Sequence, residues 1–209
     1  MLFRSFVSGF IARNIPEIFS KEIAQLEDPK KAFSATFTAL HSQTQKEYAG
    51  STLSLVWVPP KENKVYVGIL GDSPVIVRHG KETWIGPEHN ARNNELERKA
   101  AEARGAVYLG GYLYDGRGLK GLQLSRAFGD VELGNILNRT PEIFEIPVTE
   151  GDIVIIATDG IVDPAHENSS AMAEHVLSLA EKCGDAARLV SDALRRQTND
   201  NVTAIVCRL

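Results

Sequence analysis

The sequence predicts an α+β fold in which antiparallel strands occupy the middle of the chain and helices lie at both ends. The connections between the first strands are far too short for the crossovers that parallel strands require. Apolar residues recur at helical spacing near both ends of the chain. A chain of 209 residues is long enough for one sizeable core. We therefore expect a single domain over residues 1–209.

The N-terminal region predicts two helices. The first runs to about Asn14, with apolar residues at helical spacing: Leu2, Phe3, Phe6, Val7, Phe10 and Ile11. Pro16 either kinks this helix or begins a new turn. The second follows Asp28-Pro29, an N-cap with proline at the first helical position. Its predicted buried stripe is Ala32, Phe33, Thr36, Phe37 and Leu40.

From Ser51 the pattern changes to strands joined by turns. Strands at 51–59, 64–70 and 74–80 are separated by the turn-like stretches PPKEN and GDSP, which predicts an antiparallel meander. Further strands are predicted at 105–111, 121–125, 142–148, 152–158 and 202–209, with a Gly-rich loop at 110–121. Helices are predicted at 88–104, 170–182 and 185–196.

The composition is that of a folded globular protein and excludes several classes of function. Hydrophobic residues make up 43% of the chain and charged residues 24%, an ordinary balance. The net charge of −4 gives no basic surface for nucleic acid. No apolar run approaches the length that spans a bilayer, so no membrane partner is expected.

Two features bear on the compartment. The two cysteines are too few for a zinc cluster or a disulfide framework, which favours a reducing compartment. The first fourteen residues contain two arginines, two serines and no acid, which resembles a mitochondrial presequence. Their helical spacing favours a helix with one buried face instead. We therefore expect a cytoplasmic protein, with the nucleus as an alternative and mitochondrial targeting disfavoured.

Three aspartates lie in turns at the ends of predicted strands: Asp72, Asp159 and Asp200. A rigid sheet positions the loops at its strand ends, so sites are often found there. Carboxylates without cysteine or histidine suit Mg²⁺ or Mn²⁺, and two such ions can generate hydroxide and hold a phosphoryl group. The neighbouring residues Gly160, Asp163 and Asn201 are supporting candidates. Each aspartate can also be a plain turn residue, and spacing alone leaves convergence open.

Six segments occur in the order in which one known family has them. They are GSTLSLVWV, VYVGILGDSPVIVRHG, EHNARNNELERKAAEARGAVY, GLQLSRAFGD, TPEIFEIPVTEGDIVIIATDGIVD and NDNVTAIV. From about residue 30 onward the chain resembles the metal-dependent type 2C (PPM-type) protein serine/threonine phosphatases. One of these motifs would be weak evidence, whereas six in the family order are specific.

This resemblance implies a fold, an activity and a set of ligands. The fold would be a sandwich of two antiparallel β-sheets flanked by helix pairs (αββα). The activity would be hydrolysis of phosphoserine and phosphothreonine in phosphoproteins by a water that Mg²⁺ or Mn²⁺ activates, without a covalent enzyme intermediate. Asp159 and Asp200 match ligands of the family's catalytic metal pair, and Asp72 matches a ligand of a third, weaker site. The metal would explain why a carboxylate is tolerated at the end of a buried strand.

The chain departs from the family pattern at its beginning. The family's Asp-Gly-His-Gly motif, whose aspartate bridges both metals, and its phosphate-binding arginine are absent from the 209 residues. The segment FVSGFIARNIPEIF resembles the family's helix directly after that motif, so we expect a domain incomplete at its N-terminus and lacking the first strands. Two cations a few ångströms apart repel unless an anion lies between them. We therefore expect partial metal occupancy or none.

These departures leave the phosphate contact and the activity open. The remaining candidate for a phosphate contact is Arg126, although its place in the Ser-Arg-Ala-Phe-Gly-Asp motif favours a structural ion pair. The leading interpretation is a phosphatase domain that is inactive or impaired as written. The alternative is a pseudophosphatase that binds phosphoproteins or acts as a scaffold, and a shared fold without the site is disfavoured. Missing strands would expose sheet edges, which predicts self-association.

Overall fold

The computed structural model describes residues 4–118, 120–162 and 169–209. The helices in this part of the chain are α1 (Arg4–Leu26), α2 (Pro29–Thr44), α3 (Glu95–Ala103), α4 (Ser169–Cys183) and α5 (Ala186–Arg195). The strands are β1 (Gly50–Ser51), β2 (Leu53–Trp57), β3 (Lys64–Leu70), β4 (Val75–His79), β5 (Glu82–Ile85), β6 (Val107–Leu109), β7 (Tyr112–Tyr114), β8 (Gly121–Leu122), β9 (Phe128–Gly129), β10 (Glu142–Pro147), β11 (Ile153–Ala157) and β12 (Ala204–Arg208). Among the described helices, none combines the length and apolar character that crossing a membrane requires.

The two N-terminal helices form as the sequence predicts. The Asp28 carboxylate accepts hydrogen bonds from the backbone N–H groups of Lys30 at 3.0 Å and Lys31 at 3.2 Å. Two of the otherwise unpaired donors at the start of α2 are thereby satisfied. The whole predicted stripe of α2 is buried: Ala32, Phe33, Thr36, Phe37 and Leu40. Helix α1 continues through Pro16 for 23 residues, so the proline does not end it.

Contacts divide the chain into two compact units, each built from separate segments. The first unit contains Met1–Leu55, Gly68–Gly71 and His89–Phe144, and the second contains Val56–Val67, Asp72–Glu88 and Glu145–Leu209. The segments alternate along the chain, so neither unit is one continuous stretch.

The first unit has an aromatic core beneath α1 and α2. The rings of Phe19 and Phe33 meet edge to face with centroids 5.0 Å apart, and those of Phe37 and Phe128 stack at 5.8 Å. Gly68 lies against this core, where an added Cβ would come within 2.6 Å of Phe33. A second apolar cluster joins α3 to the small antiparallel sheet β6-β7-β8.

The second unit contains a four-stranded antiparallel sheet in the order β12-β11-β4-β5. Its central strand β11 pairs Ile155 with Val206 on one side and with Ile76 on the other. Helices α4 and α5 pack on this sheet through buried residues that include Val176, Leu177, Ala180, Leu189 and Ala193. The sheet holds β11 rigidly, and this fixes the direction in which the chain leaves it at residue 158.

Three local predictions differ from the structure. Strands β3 and β4 do not form one meander, because β3 lies in the sheet β10-β3-β2 while β4 pairs with β5 and β11. Strands β5, β7 and β9 were not predicted, and β7 lies inside the stretch 110–121 that was predicted to be a Gly-rich loop. The helix predicted over 88–104 begins only at Glu95, where the Asn94 side chain accepts from the N–H groups of Leu96 and Glu97.

Candidate metal centre

The register of the four-stranded sheet gathers the three aspartate turns at one end. Strand β11 pairs Ile156 with Val75 and Ala157 with Ala204. Because the pairing is antiparallel, the C-terminal end of β11 lies beside the starts of β4 and β12. Asp159 follows β11, Asp72 precedes β4 and Asp200 precedes β12. The fold thus brings together three turns that are far apart in sequence.

Two of these turns touch directly. The Thr158 hydroxyl donates to the Asn201 carbonyl at 3.0 Å and accepts from the Thr203 N–H at 3.0 Å. Gly160 is buried at this junction, and a Cβ there would lie 2.7 Å from the Asn201 carbonyl oxygen and 3.2 Å from the Cβ of Asp200. The approach of the two turns therefore requires glycine at position 160.

The aspartates differ in exposure and in their local hydrogen bonds. Asp200 is exposed, while Asp159 and Asp72 are half-buried. The Asp159 carboxylate accepts from the Gly160 N–H at 3.0 Å, and that of Asp200 accepts from the Asn201 N–H at 2.7 Å. The predicted supporting residues Gly160 and Asn201 thus contribute backbone donors. Asp163 lies outside the described residues.

The three aspartates do not by themselves form a closed cage. In the described part of the chain, the one trio whose ligand atoms all lie within 4.8 Å of one another is His89, Glu97 and Glu142, in the first unit. A Mg²⁺ or Mn²⁺ site at the aspartate turns would need further oxygen ligands from water or substrate. The donor chemistry of the turns nevertheless fits these hard cations.

The His89 trio is an ion-pair network whose positive charge comes from arginine. Arg126 Nε lies 3.1 Å from Glu97 Oε2, and Arg126 Nη2 lies 2.5 Å from Glu97 Oε1 and 2.9 Å from Glu142 Oε1. Its remaining nitrogen donates to the Thr140 carbonyl at 3.1 Å. A guanidinium thus compensates both carboxylates, as buried charges require, and all three of its nitrogens have protein partners. These contacts favour the structural ion pair over a phosphate contact at Arg126.

The pKa values in this network follow from burial and from arginine. Burial raises the pKa of Glu97, but hydrogen bonds from Arg126 and Ser125 outweigh burial and hold that pKa below its usual value. Burial, and then the charge of Arg126, lower the pKa of His89. His89 is therefore neutral at pH 7, while Glu97 is ionised. Sequence reasoning predicted a structural ion pair at Arg126 but did not predict its partners. The signal that could have found them was the recurrence of charged residues inside the ordered motifs.

A cleft of about 440 Å³ lies elsewhere in the first unit, lined by the Gly-Ser-Thr segment and by Lys120. Lys120 Nζ donates to the Asp130 carboxylate at 2.7 Å and to the Tyr48 carbonyl at 3.0 Å. A Cβ at Gly50 would overlap this carboxylate. Asp130, the final residue of the Ser-Arg-Ala-Phe-Gly-Asp motif, therefore binds Lys120 and packs against Gly50. Its backbone is in the left-handed conformation, with φ 48°.

The carboxylate turns carry donors that suit hard divalent cations, and comparison with known proteins identifies the family. The family model for protein phosphatase 2C matches residues 3–202, so the chain belongs to that family. A relative from Arabidopsis thaliana, probable protein phosphatase 2C 9, is 28% identical over 213 residues, covering 97% of this chain and 72% of the relative.

Solved structures agree with the fold. A C. elegans sex-determining protein matches with a TM-score of 0.74 at 23% identity, over 94% of this chain and 52% of that one. This chain thus spans about half the length of that solved protein. The catalytic domain of the phosphatase PstP, solved in complex with two manganese ions, matches with a TM-score of 0.50 at 20% identity, over 93% of this chain and 80% of that one.

Proposed function

We propose that this chain is a protein serine/threonine phosphatase domain that acts on phosphoserine and phosphothreonine in phosphoproteins. The observation that carries the proposal is the register that gathers the turns of Asp72, Asp159 and Asp200 at one sheet end, in a member of the protein phosphatase 2C family. The manganese ions in the structure of PstP support the choice of Mg²⁺ or Mn²⁺.

The chain's own residues have distinct tasks in this proposal. Asp159 and Asp200 would hold the catalytic ions, and Asp72 would belong to a weaker site. When bound, the ions supply an activated water and neutralise charge on the phosphoryl group. Thr158 holds the Asp159 turn to Asn201 at 3.0 Å, and Gly160 allows the close approach. These residues orient the carboxylates before any ligand arrives.

We further propose that the 209-residue chain is inactive or strongly impaired when tested alone. It contains no Asp-Gly-His segment to supply a bridging carboxylate, and the aspartates do not close a cage within the described residues. A metal pair without a bridging anion is destabilised by its own repulsion. Metal occupancy should therefore be partial.

The test combines metal binding with catalysis. Mn²⁺ binding is measured by titration calorimetry, and hydrolysis of a phosphothreonine peptide is measured in Mn²⁺, for the chain and for Asp159→Ala. Weak binding that Asp159→Ala abolishes, with hydrolysis near the level of the variant, is the expected result. Binding unchanged by Asp159→Ala would overturn the metal assignment. Strong hydrolysis that Asp159→Ala abolishes would confirm the reaction and overturn the proposed impairment.

A binding module without catalysis is the second candidate. It is favoured by the absence of an Asp-Gly-His segment, which leaves the proposed metal pair without its bridging carboxylate. Such a module would bind a phosphothreonine peptide more tightly than its unphosphorylated form while releasing no phosphate. Equal affinity for the two peptides would exclude it.

Self-association through a sheet edge is also proposed. In the second unit β12 is an edge strand, and its Ile205 is 57% exposed. Exposed edges with apolar side chains can pair with another chain. Sedimentation velocity should then show dimers that Ile205→Lys reduces, and a monomer at all concentrations would exclude this.

A further inference from the structure

His89 is fully buried, and both of its ring nitrogens have partners. Nδ1 lies 3.0 Å from the backbone nitrogen of Gly71, and Nε2 lies 3.1 Å from Glu142 Oε1. A backbone N–H can only donate, so Nδ1 must present a lone pair. The proton of the neutral ring therefore lies on Nε2 and points to the carboxylate.

The same residue also satisfies the other backbone group of Gly71. The His89 N–H donates to the Gly71 carbonyl at 3.1 Å. Gly71 has a φ of +118°, and a Cβ at this position would lie 2.3 Å from Thr52. Gly71 thus adopts a conformation that other residues disfavour, and His89 clamps it at both of its backbone polar groups.

The Nε2 side of the His89 ring is held by charged side chains. Glu142 Oε1, which accepts from Nε2, also lies 2.9 Å from Arg126 Nη2. Arg126 in turn donates two hydrogen bonds to Glu97, whose Oε2 lies 2.5 Å from the Ser125 hydroxyl. A carboxylate held in this way stabilises one tautomer of the histidine. The chain of contacts therefore runs from a buried ion pair to the backbone of Gly71.

We propose that His89 is a positioning residue: in its Nε2-protonated tautomer it fixes the backbone of Gly71, and so the direction in which the next residue, Asp72, presents its carboxylate to metal. The part that concerns metal rests on the proposed function. The part that concerns Gly71 stands on the described contacts alone.

Two substitutions separate the two ring nitrogens. Asparagine places its Oδ1 as many bonds from Cα as Nδ1 is, so His89→Asn keeps an acceptor for the Gly71 N–H. Glutamine places its terminal amide as far out as Nε2, so His89→Gln keeps a donor for Glu142 and leaves the buried Gly71 N–H without an acceptor. Asparagine is one methylene shorter than glutamine and leaves the larger space at this buried position, so a loss of packing alone would affect His89→Asn more, opposite to the order that the proposal predicts.

The first readout is hydrogen exchange of the Gly71 amide. We expect exchange in His89→Gln to be about tenfold faster or more relative to the wild-type chain, because an unpaired buried donor is costly. In His89→Asn it should stay within about threefold. Equal acceleration in both variants, or none in either, would overturn the proposal. If neither variant folds, ¹⁵N spectra of the wild-type imidazole decide, and a proton on Nδ1 would overturn the tautomer.

The second readout is Mn²⁺ affinity by titration calorimetry. We expect about tenfold weaker binding in His89→Gln and near wild-type binding in His89→Asn, as for other residues that orient metal ligands. A general loss of stability would lower both affinities together, and that result would overturn the role toward Asp72. If the wild-type chain binds no Mn²⁺, the proposed function fails, and the exchange measurement still decides the role toward Gly71.

Discussion

Two networks of histidine, carboxylate and arginine occupy the two units, and they differ in how far water reaches them. In the first unit the side chain of His89 is 0% exposed and that of Arg126 is 12% exposed. In the second unit the side chain of His175 is 45% exposed and that of Arg196 is 22% exposed. Both networks join a histidine and an arginine to carboxylates, but the histidine and arginine of the first are the more buried, so solvent screens these two less.

The second network also reaches the backbone beside a proposed ligand. Arg196 Nε lies 2.8 Å from Asp192 Oδ2, and its Nη2 donates to the Ile161 carbonyl at 2.6 Å. Ile161 ends the short 3₁₀ turn that Asp159 begins.

Breaking a buried charge pair leaves a charge that water cannot solvate, whereas an exposed partner is rehydrated. The side chains of Glu97 and Asp192 are similarly buried, at 10% and 11% exposed. Asp192 keeps Arg195 and His175 as partners when Arg196 is removed, so loss of the arginine should cost more in the first unit.

Breaking the first network at its arginine should give the largest effect. Arg126→Met leaves Glu97 and Glu142 without their cation, and we expect a loss of about 3–5 kcal/mol in the free energy of unfolding. Denaturant titration measures this loss. The double variant Arg126→Met with Glu97→Gln removes one of the stranded charges and should recover part of the loss. A cost below about 1 kcal/mol for the single variant would place this network among exposed pairs.

The second unit should depend more on close packing than on its ion pairs. Gly160→Ala drives a Cβ to 2.7 Å from the Asn201 carbonyl oxygen, and overpacking of this kind costs about 1–3 kcal/mol. The matched control is Gly9→Ala in α1, where the nearest atom is the flexible end of Arg13 at 3.4 Å. That change should stabilise the chain by up to about 1 kcal/mol. Thermal melts in which both variants shift the melting temperature in the same direction would contradict this account.

The arginine of the second network should matter less than Arg126. Arg196→Ala removes the hydrogen bonds to Asp192 and to the Ile161 carbonyl, for an expected cost of about 1–2 kcal/mol. The neighbouring Arg195 is 69% exposed and lies 3.4 Å from the same aspartate, so Arg195→Ala should stay within about 0.5 kcal/mol. If denaturant titration gave Arg196→Ala the same cost as Arg126→Met, burial would not be the distinguishing variable.

The smallest effect is a difference in pH dependence. Burial raises the pKa of Asp192, but hydrogen bonds from Arg196 and His175 outweigh it and leave that pKa below its usual value. The folded state then binds fewer protons than the unfolded state, so this stabilisation is present above the unfolded pKa of about 4 and is lost as the pH falls through the folded pKa. Unfolding measured between about pH 5 and pH 3 should therefore show a shallower slope for Asp192→Asn.

The exposed Glu102→Gln in α3 is the control for this profile and should keep the wild-type slope. A steeper slope for Asp192→Asn than for the wild-type chain would show that the sign is wrong.

Local patterns were enough to predict much of the fold. The N-cap at Asp28, the buried stripe through Phe33 and Phe37, and the apolar strand that ends before Asp159 each depend on a few neighbouring residues. The family order of the motifs predicted the class of fold that the solved structures share. These features need no knowledge of distant contacts.

Other features depend on partners far away in sequence. The short GDSP connection is typical of a hairpin turn, yet it joins strands of two different sheets. The sequence could not predict this, because a strand as apolar as Val75–Val77 gives no sign of which neighbour it pairs with. The residues before α3 are polar but include several weak helix formers, and they are held outside the helix, where the His89 carbonyl accepts from the Ser125 N–H at 2.9 Å. Whether three aspartate turns converge is likewise a matter of register, which spacing cannot reveal.

The position of β12 in the sheet also has a consequence for the order of events during synthesis. Strand β11 and the Asp159 turn leave the ribosome well before residues 200–208, although Ala157 pairs with Ala204 and the Thr158 hydroxyl needs the backbone of Asn201 and Thr203. Until translation has passed these residues, β11 can pair with β4, but the Thr158 hydroxyl lacks both of these backbone partners. The proposed ligand pair is therefore assembled only after residues 200–204 have been made, when both units have most of their described strands.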